Sequence, residues 1–342
     1  MIAFVRRSLS TPLQTLLTLG VGGVVAAILV PLTRWALVDA TWSGTATHCR
    51  AAPAGACWAF LGHKLHLILF GLYPRAEQWR AAGATALLLI LIALTAVPRF
   101  WRRPLFLAWA GGLPIGLWLM HGGPGLAPVP SRLWGGFPVT LLLTAAGLAL
   151  GLPVGILLAL GRRSRLPLPR LAATAVVETV RGVPLIAVLY LAALVLPLAL
   201  PSGLEVDKLL LAQTGVALFA SAYMAEAVRS GLQIIPKGQM EAALALGLRW
   251  WQAMRLVILP QALKVVIPSF ISIAIGFFQD TSLIVIIGLF DLLNTARLAA
   301  QDPAWLGFHA EAYGFVALIY FGGSVAMSRY GLWLEKTVRG ER

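Results

Sequence analysis

Between residues 134 and 160 the chain carries no charged side chain, and seven further apolar runs resemble it: 13–31, 81–97, 105–120, 171–200, 209–228, 262–290 and 313–334. A helix crossing about 30 Å of hydrocarbon needs ~20 apolar residues, so such runs dictate the fold more than any other feature. Composition agrees: 59% of the residues are apolar and 12% charged, roughly half the charged share of a soluble domain. Strands of a membrane barrel would alternate in segments of ~10 residues, and these runs do not alternate. The expected fold is therefore all-α, a polytopic transmembrane helical bundle of about eight crossings in a lipid bilayer with both termini cytoplasmic.

The net charge of +14 would suit a nucleic-acid binder, so the position of the charges must decide. Arg6 and Arg7, Arg99, Arg102 and Arg103, Arg162, Arg163, Arg165 and Arg170, Arg229, Lys237, Arg249, Arg255 and Lys264, and Lys336, Arg339 and Arg342 all fall beside apolar runs on one side. Asp39, Glu77, Glu205, Asp207, Asp302 and Glu311 fall on the other. Positive-inside sorting accounts for this pattern, and no nucleic-acid partner is expected. Arg6 and Arg7 before the first run could mark a secretory signal, but the run is long and lacks a small-residue cleavage site after it, which suits an uncleaved anchor.

Gly and Pro density at 122–131, HGGPGLAPVPS from His121 onward, breaks the chain into two regions: 1–125, with three crossings and an external loop at 35–80, and 131–342, with five. The external loop holds the two cysteines, Cys49 and Cys57; an oxidising compartment would allow a disulfide, and two free thiols are the alternative. His63 and His66 stand three apart in the same loop, but no third partner marks a metal site, so a solvated or interfacial pair is expected.

Between two apolar runs lies PKGQMEAALALGLRWWQAMRLVILP, residues 236–260. Helix formers from Glu241 to Leu246 end at Gly247, a residue suited to a left-handed helix end. The segment is too short to cross a bilayer and is expected on the cytoplasmic face, with Trp250 and Trp251 at headgroup level and Leu259-Pro260 opening the next crossing. Small side chains at Ala242, Ala243 and Ala245 would let another protein approach closely, with Glu241 orienting it.

Glu241-Ala242-Ala243, Gly247, Val257, Leu259 and Pro260 resemble the cytoplasmic loop of importer permeases of the ATP-binding cassette class. Glu178-Thr-Val-Arg-Gly-Val-Pro-Leu185, Tyr223-Met-Ala-Glu-Ala-Val-Arg-Ser-Gly231 with Ile235-Pro-Lys-Gly-Gln239, and Asp280-Thr-Ser-Leu283 with Gly288-Leu-Phe-Asp291 narrow the resemblance to polar amino acid permeases. Gln279 departs from the family, where lysine is frequent. The three-crossing extension, with GACW at 55–58 and LILFGLYP at 67–74, looks like the larger permease of general L-amino acid importers. The resemblance implies a five-helix type I importer core with a coupling loop at 229–260, whose short helix docks on an ATPase. It also implies a second permease subunit, an ATPase dimer using ATP and Mg, and a periplasmic amino-acid-binding protein as partners, in a bacterial inner membrane.

No GxxxxGK[ST] occurs, so no phosphate-cradling loop is expected here, and no cofactor bound by this chain. No nucleophile-and-base set marks an enzyme. Glu178, Arg181, Glu226 and Asp280 lie in or near apolar runs, where each costs a few kcal/mol unless paired or facing water. Glu178 and Arg181, three apart, either neutralise each other or line the route of a zwitterionic amino acid with Gln279, Asp280, Thr281 and Ser282. Glu226 and Arg229 share that spacing near the cytoplasmic end, and Pro184 should interrupt its helix. An ion-coupled secondary carrier is the alternative; it would need acids buried at mid-depth and no docking helix.

Overall fold

A computed structural model of the chain describes residues 11–51, 54–201 and 206–339; Arg6, Arg7, Glu205 and Arg342, used above for orientation, lie outside them. Among the described residues, seven helical stretches are long and apolar enough to span a membrane: Pro12–Val38, Arg75–Thr95, Arg103–His121, Gly136–Arg162, Lys208–Ile234, Ile267–Ile287 and His309–Thr337. The run at 171–200, expected as one crossing, is instead a helix pair, Pro167–Gly182 and Leu185–Leu198, bent by 110°. Proline explains the break: Pro184 cannot donate a backbone hydrogen bond, and Val183 before it is driven into extended backbone. Counting the bent pair as one span gives eight.

Helices are numbered in chain order: α1 Pro12–Thr33, α2 Ala46–Ala51, α3 Ala59–Phe70, α4 Gln78–Thr95, α5 Arg103–His121, α6 Gly136–Arg162, α7 Pro167–Gly182, α8 Leu185–Tyr190, α9 Lys208–Ile234, α10 Lys237–Ala245, α11 Trp250–Ala253, α12 Leu259–Val265, α13 Ile267–Asp280, α14 Leu292–Ala300 and α15 His309–Arg339. The chain packs as two compact units, one of Met1–Leu65 with Ala299–Gly314, the other of His66–Leu298 with Phe315–Arg342.

In the larger unit α6 and α9 form the central pair. Gly147, Gly151 and Gly155 recur every four residues on α6, and a Cβ on them would lie 2.6 Å from Val216, 2.8 Å from Ala220 and 2.9 Å from Met224 of α9. Small residues at this period let two helix backbones close on one another, gaining the dispersion contacts that replace the hydrophobic drive inside lipid. Around the pair lie Leu143, Val188, Leu189, Val216, Phe219, Phe277 and Ile284, buried together. Arg80 of α4 is wholly buried. Its Nε donates to the Leu119 carbonyl at the end of α5, an orphan acceptor of the helix terminus, and its Nη1 to that of Ala127 in the following loop, each at 2.8 Å.

In the smaller unit the cysteine-bearing loop folds onto a partner that sequence spacing does not indicate, the stretch 299–314. Cys49 and Cys57 are joined by a disulfide. The Cys57 N–H donates to the buried Glu311 carboxylate at 2.9 Å, and Lys64 pairs with Asp302 at 2.6 Å. Phe60 meets the rings of Trp305 and Phe308 with centroids 5.9 and 6.2 Å away, and His63 lies 5.1 Å from Trp305. His66 belongs to the larger unit, where Arg75 bonds it at 2.5 Å. No cluster of three metal-ligating side chains occurs among the described residues.

Candidate coupling helix and charge network

Pro236 stands directly before α10, nearer than the spacing suggested, and its fixed φ of −58° leads the chain into the helix. At the other end the Gly247 N–H donates to the Leu244 carbonyl at 2.9 Å and the Leu248 N–H to that of Ala243 at 3.2 Å. With Gly247 at φ +83° this is a Schellman end, which closes the helix after nine residues. Glu241 and Ala242 are exposed, whereas Ala243 turns inward, so the small side chains expected together on the outer face are divided between two faces.

The inward face joins α10 to the membrane helices by packing. Met240, Val257 and Leu259 pack against a buried cluster of Ala159, Val177, Ala225, Val228, Met254 and Ile258, drawn from α6, α7, α9 and the wide π turn Met254–Ile258. Gln261 of α12 donates to Gln239 at 3.3 Å and to the Val257 carbonyl at 2.9 Å. Pro260 opens α12 and is exposed, but α12 ends at Val265 and the membrane-length helix starts only at Ile267, so Leu259-Pro260 does not begin the crossing. Trp250 and Trp251 begin α11 and are both exposed.

Next to this cluster lies a charge network. Glu178 and Arg181 do not neutralise each other. Arg162, the last residue of α6, donates to Glu178 at 2.6 Å and to Glu226 at 2.9 Å. Arg181 lies 3.5 Å from Glu226, and Arg229 bonds the same carboxylate. The reason is geometric: α7 bends away at Val183, and Val177, packed with Ala159 and Val228, brings the helix to the C-terminal end of α6 and the C-terminal half of α9. Glu178 is thus 57% exposed and Arg162 only 13%, the reverse of an acid facing a mid-membrane interior. Arg162 was missed from sequence because it closes an apolar run and reads there as an orientation charge.

Gln279, Asp280, Thr281 and Ser282 lie where α13 tightens into a 3-10 stretch, Thr281–Ile287, ended by Gly288 at φ +80°. Gln279 donates to Ser324 at 3.1 Å, Thr281 is buried, and the Ser282 carbonyl accepts from Asn294 at 3.0 Å. The Asp280 side chain forms no hydrogen bond or ion pair with any described residue. Beneath them, buried Asp291 accepts from Tyr320 at 2.8 Å and from the Asn294 N–H at 3.0 Å, and Thr140 accepts from the Leu292 N–H at 3.1 Å. Tyr320, Asn294 and Thr140 carry no local motif and were legible only after folding. No hydrogen bond or ion pair among the described residues joins Gln279–Ser282 to the charge network of Arg162, Glu178, Arg181, Glu226 and Arg229. Rings do: the Arg181 guanidinium lies 5.5 Å from the Tyr223 centroid, Tyr223 4.9 Å from Phe219, and Phe219 5.9 Å from Phe277.

Residues 151–340 match the family of binding-protein-dependent transport system inner membrane components. The chain is 46% identical, over 98% of its length and 92% of the relative's, to the inner membrane amino-acid ABC transporter permease protein YhdY of Escherichia coli K12. It is 37% identical, over 99% and 94%, to the glutamate/glutamine/aspartate/asparagine transport system permease protein BztC of Rhodobacter capsulatus. A solved structure described as an amino acid ABC transporter with histidines superposes with a TM-score of 0.52 at 30% identity, covering 59% of this chain and 91% of that one.

Proposed function

The chain belongs to the family of binding-protein-dependent transport system inner membrane components, and from that premise we propose how it works as the permease subunit of an amino-acid importer of the ATP-binding cassette class. It is a multi-pass membrane protein and a transport component, not a catalyst. Its cargo is polar or general L-amino acids, as the names of the relatives suggest. The importer domain is 131–342, the extension 1–125, and the membrane a bacterial inner membrane. A second permease subunit stands beside it, an ATPase dimer consuming ATP and Mg docks below, and a periplasmic binding protein delivers substrate.

One observation carries the mechanism: α10 presents Glu241 and Ala242 outward while Met240 and Ala243 turn inward, Met240 onto the cluster that includes Val177 and Ile258. Closure of the ATPases displaces α10; the packed cluster, which is poorly compressible, passes that displacement to α6, α7 and α9. Alternating access then follows from tilting of these helices, with Glu178, Arg181 and Gln279–Ser282 along the route. An ion-coupled carrier is set aside because the relatives are ABC transporter permeases and because Glu178 is exposed and paired.

The test is amino acid uptake in cells with and without the partner ATPase, together with copurification of that ATPase. Uptake lost with the ATPase, and ATPase retained by the wild-type chain, are expected. Uptake persisting without the ATPase would overturn the assignment.

A further inference from the structure

The turn between α4 and α5 reads PRFWRR from Pro98 to Arg103 and separates two helices of membrane length, so it sits at the bilayer surface. Arg99, Arg102 and Arg103 are exposed, and their guanidinium groups form no hydrogen bond or ion pair with any described residue. Nothing nearby in the chain could neutralise them, since no Asp or Glu occurs between Glu77 and Glu178. The neighbouring rings are equally uncovered: Phe100, Trp101 and Phe106 are exposed, Phe106 by 75%. Trp101 is anchored to the end of α4. Trp101 donates its indole N–H to the Thr95 carbonyl and Trp109 its own to the Thr95 hydroxyl, each at 2.8 Å.

We propose that this turn binds anionic phospholipid headgroups, Arg99, Arg102 and Arg103 holding the phosphodiester charge while Phe100, Trp101 and Phe106 lie against the upper acyl chains. Cationic side chains beside aromatic rings match that boundary, where the charge of the lipid and the top of the hydrocarbon are a few ångströms apart. An acidic protein surface would answer the arginines but not Phe106 and Leu107, which are exposed on the first two turns of a membrane-length helix. The turn is also too short to reach far above the headgroups. Each arginine near an anionic surface strengthens binding about fivefold, so the three together contribute on the order of a hundredfold.

The full chain, copurified with its partner subunits, is equilibrated with vesicles of equal phosphatidylglycerol and phosphatidylcholine, and the retained lipid is counted by native mass spectrometry. Wild type is expected to enrich phosphatidylglycerol. The R99Q/R102Q/R103Q variant should lose the enrichment and R99K/R102K/R103K should keep most of it, because a phosphate is attracted by the charge itself. Single Arg→Gln variants should each lose about fivefold, which keeps the test open if the triple variant fails to insert. Equal lipid counts in wild type and the Gln variants would overturn the proposal. So would unchanged enrichment with loss of a partner subunit, which would make the turn a protein contact.

Discussion

Replacing Gly247 isolates the contribution of one backbone conformation to coupling. A Cβ at this position meets nothing within 4 Å, so Gly247→Ala brings no clash, and its cost is confined to holding an L-residue at φ +83°. That cost is about 1–2 kcal/mol. The helix it closes has nine residues, below the ~12–15 at which an isolated helix is even marginal in water. It therefore depends on this end and on the inward packing of Met240 and Ala243. A loss of 1–2 kcal/mol changes the ratio of closed to frayed helix by about 5–30-fold. Hydrogen exchange at Leu246, Gly247 and Leu248 should quicken by that factor in Gly247→Ala, with amino acid uptake falling in parallel at matched membrane levels. Gly247→Asn should lie between, since asparagine tolerates the left-handed region. Alanine exchanging as slowly as glycine, or asparagine faring no better than alanine, would refute the reasoning.

Three further outcomes follow from the contacts. Exchanging Glu178 and Arg181 in E178R/R181E would place like charges beside Arg162 and beside Glu226; thermal unfolding of the purified complex should drop, and an exchange without effect would mean that these two residues pair with each other. Reducing the Cys49–Cys57 bond, which closes a short loop with a sequence separation of 8, should cost the smaller unit about 2–3 kcal/mol by releasing chain entropy, read as faster proteolysis within 39–65 for C49S/C57S than for wild type. The Lys64 ammonium beside Asp302 holds that carboxyl below the usual range. A depressed folded value means the contribution is complete above the ordinary Asp value near 4 and disappears as pH falls through the lowered one. The stability of 299–314 should therefore differ between Lys64→Met and wild type at neutral pH and converge in strong acid; a difference that persists there would count against the pair.

Much of this protein is visible in sequence because a bilayer permits few solutions. Backbone groups inside hydrocarbon must be satisfied within each helix, so runs such as 134–160 and 209–228 declare their spans. Pro184 and Gly247 declare their breaks, since each restricts or frees φ regardless of its neighbours. The charge partners were not visible in this way. Spacing of three pointed Glu178 at Arg181, yet the bend at Val183 and the close α6–α9 contact made by Gly147, Gly151 and Gly155 bring Arg162 and Glu226 to them instead. The joining of the cysteine-bearing loop to 299–314 through Lys64, Asp302 and Glu311 spans more than 200 residues of chain. Local sequence thus determined which segments cross, where helices stop and which family pattern they carry, because those depend on one segment and its solvent. Which charges meet, and which face of α10 turns inward, depends on how segments distant along the chain close on one another, and only the tertiary structure decided it.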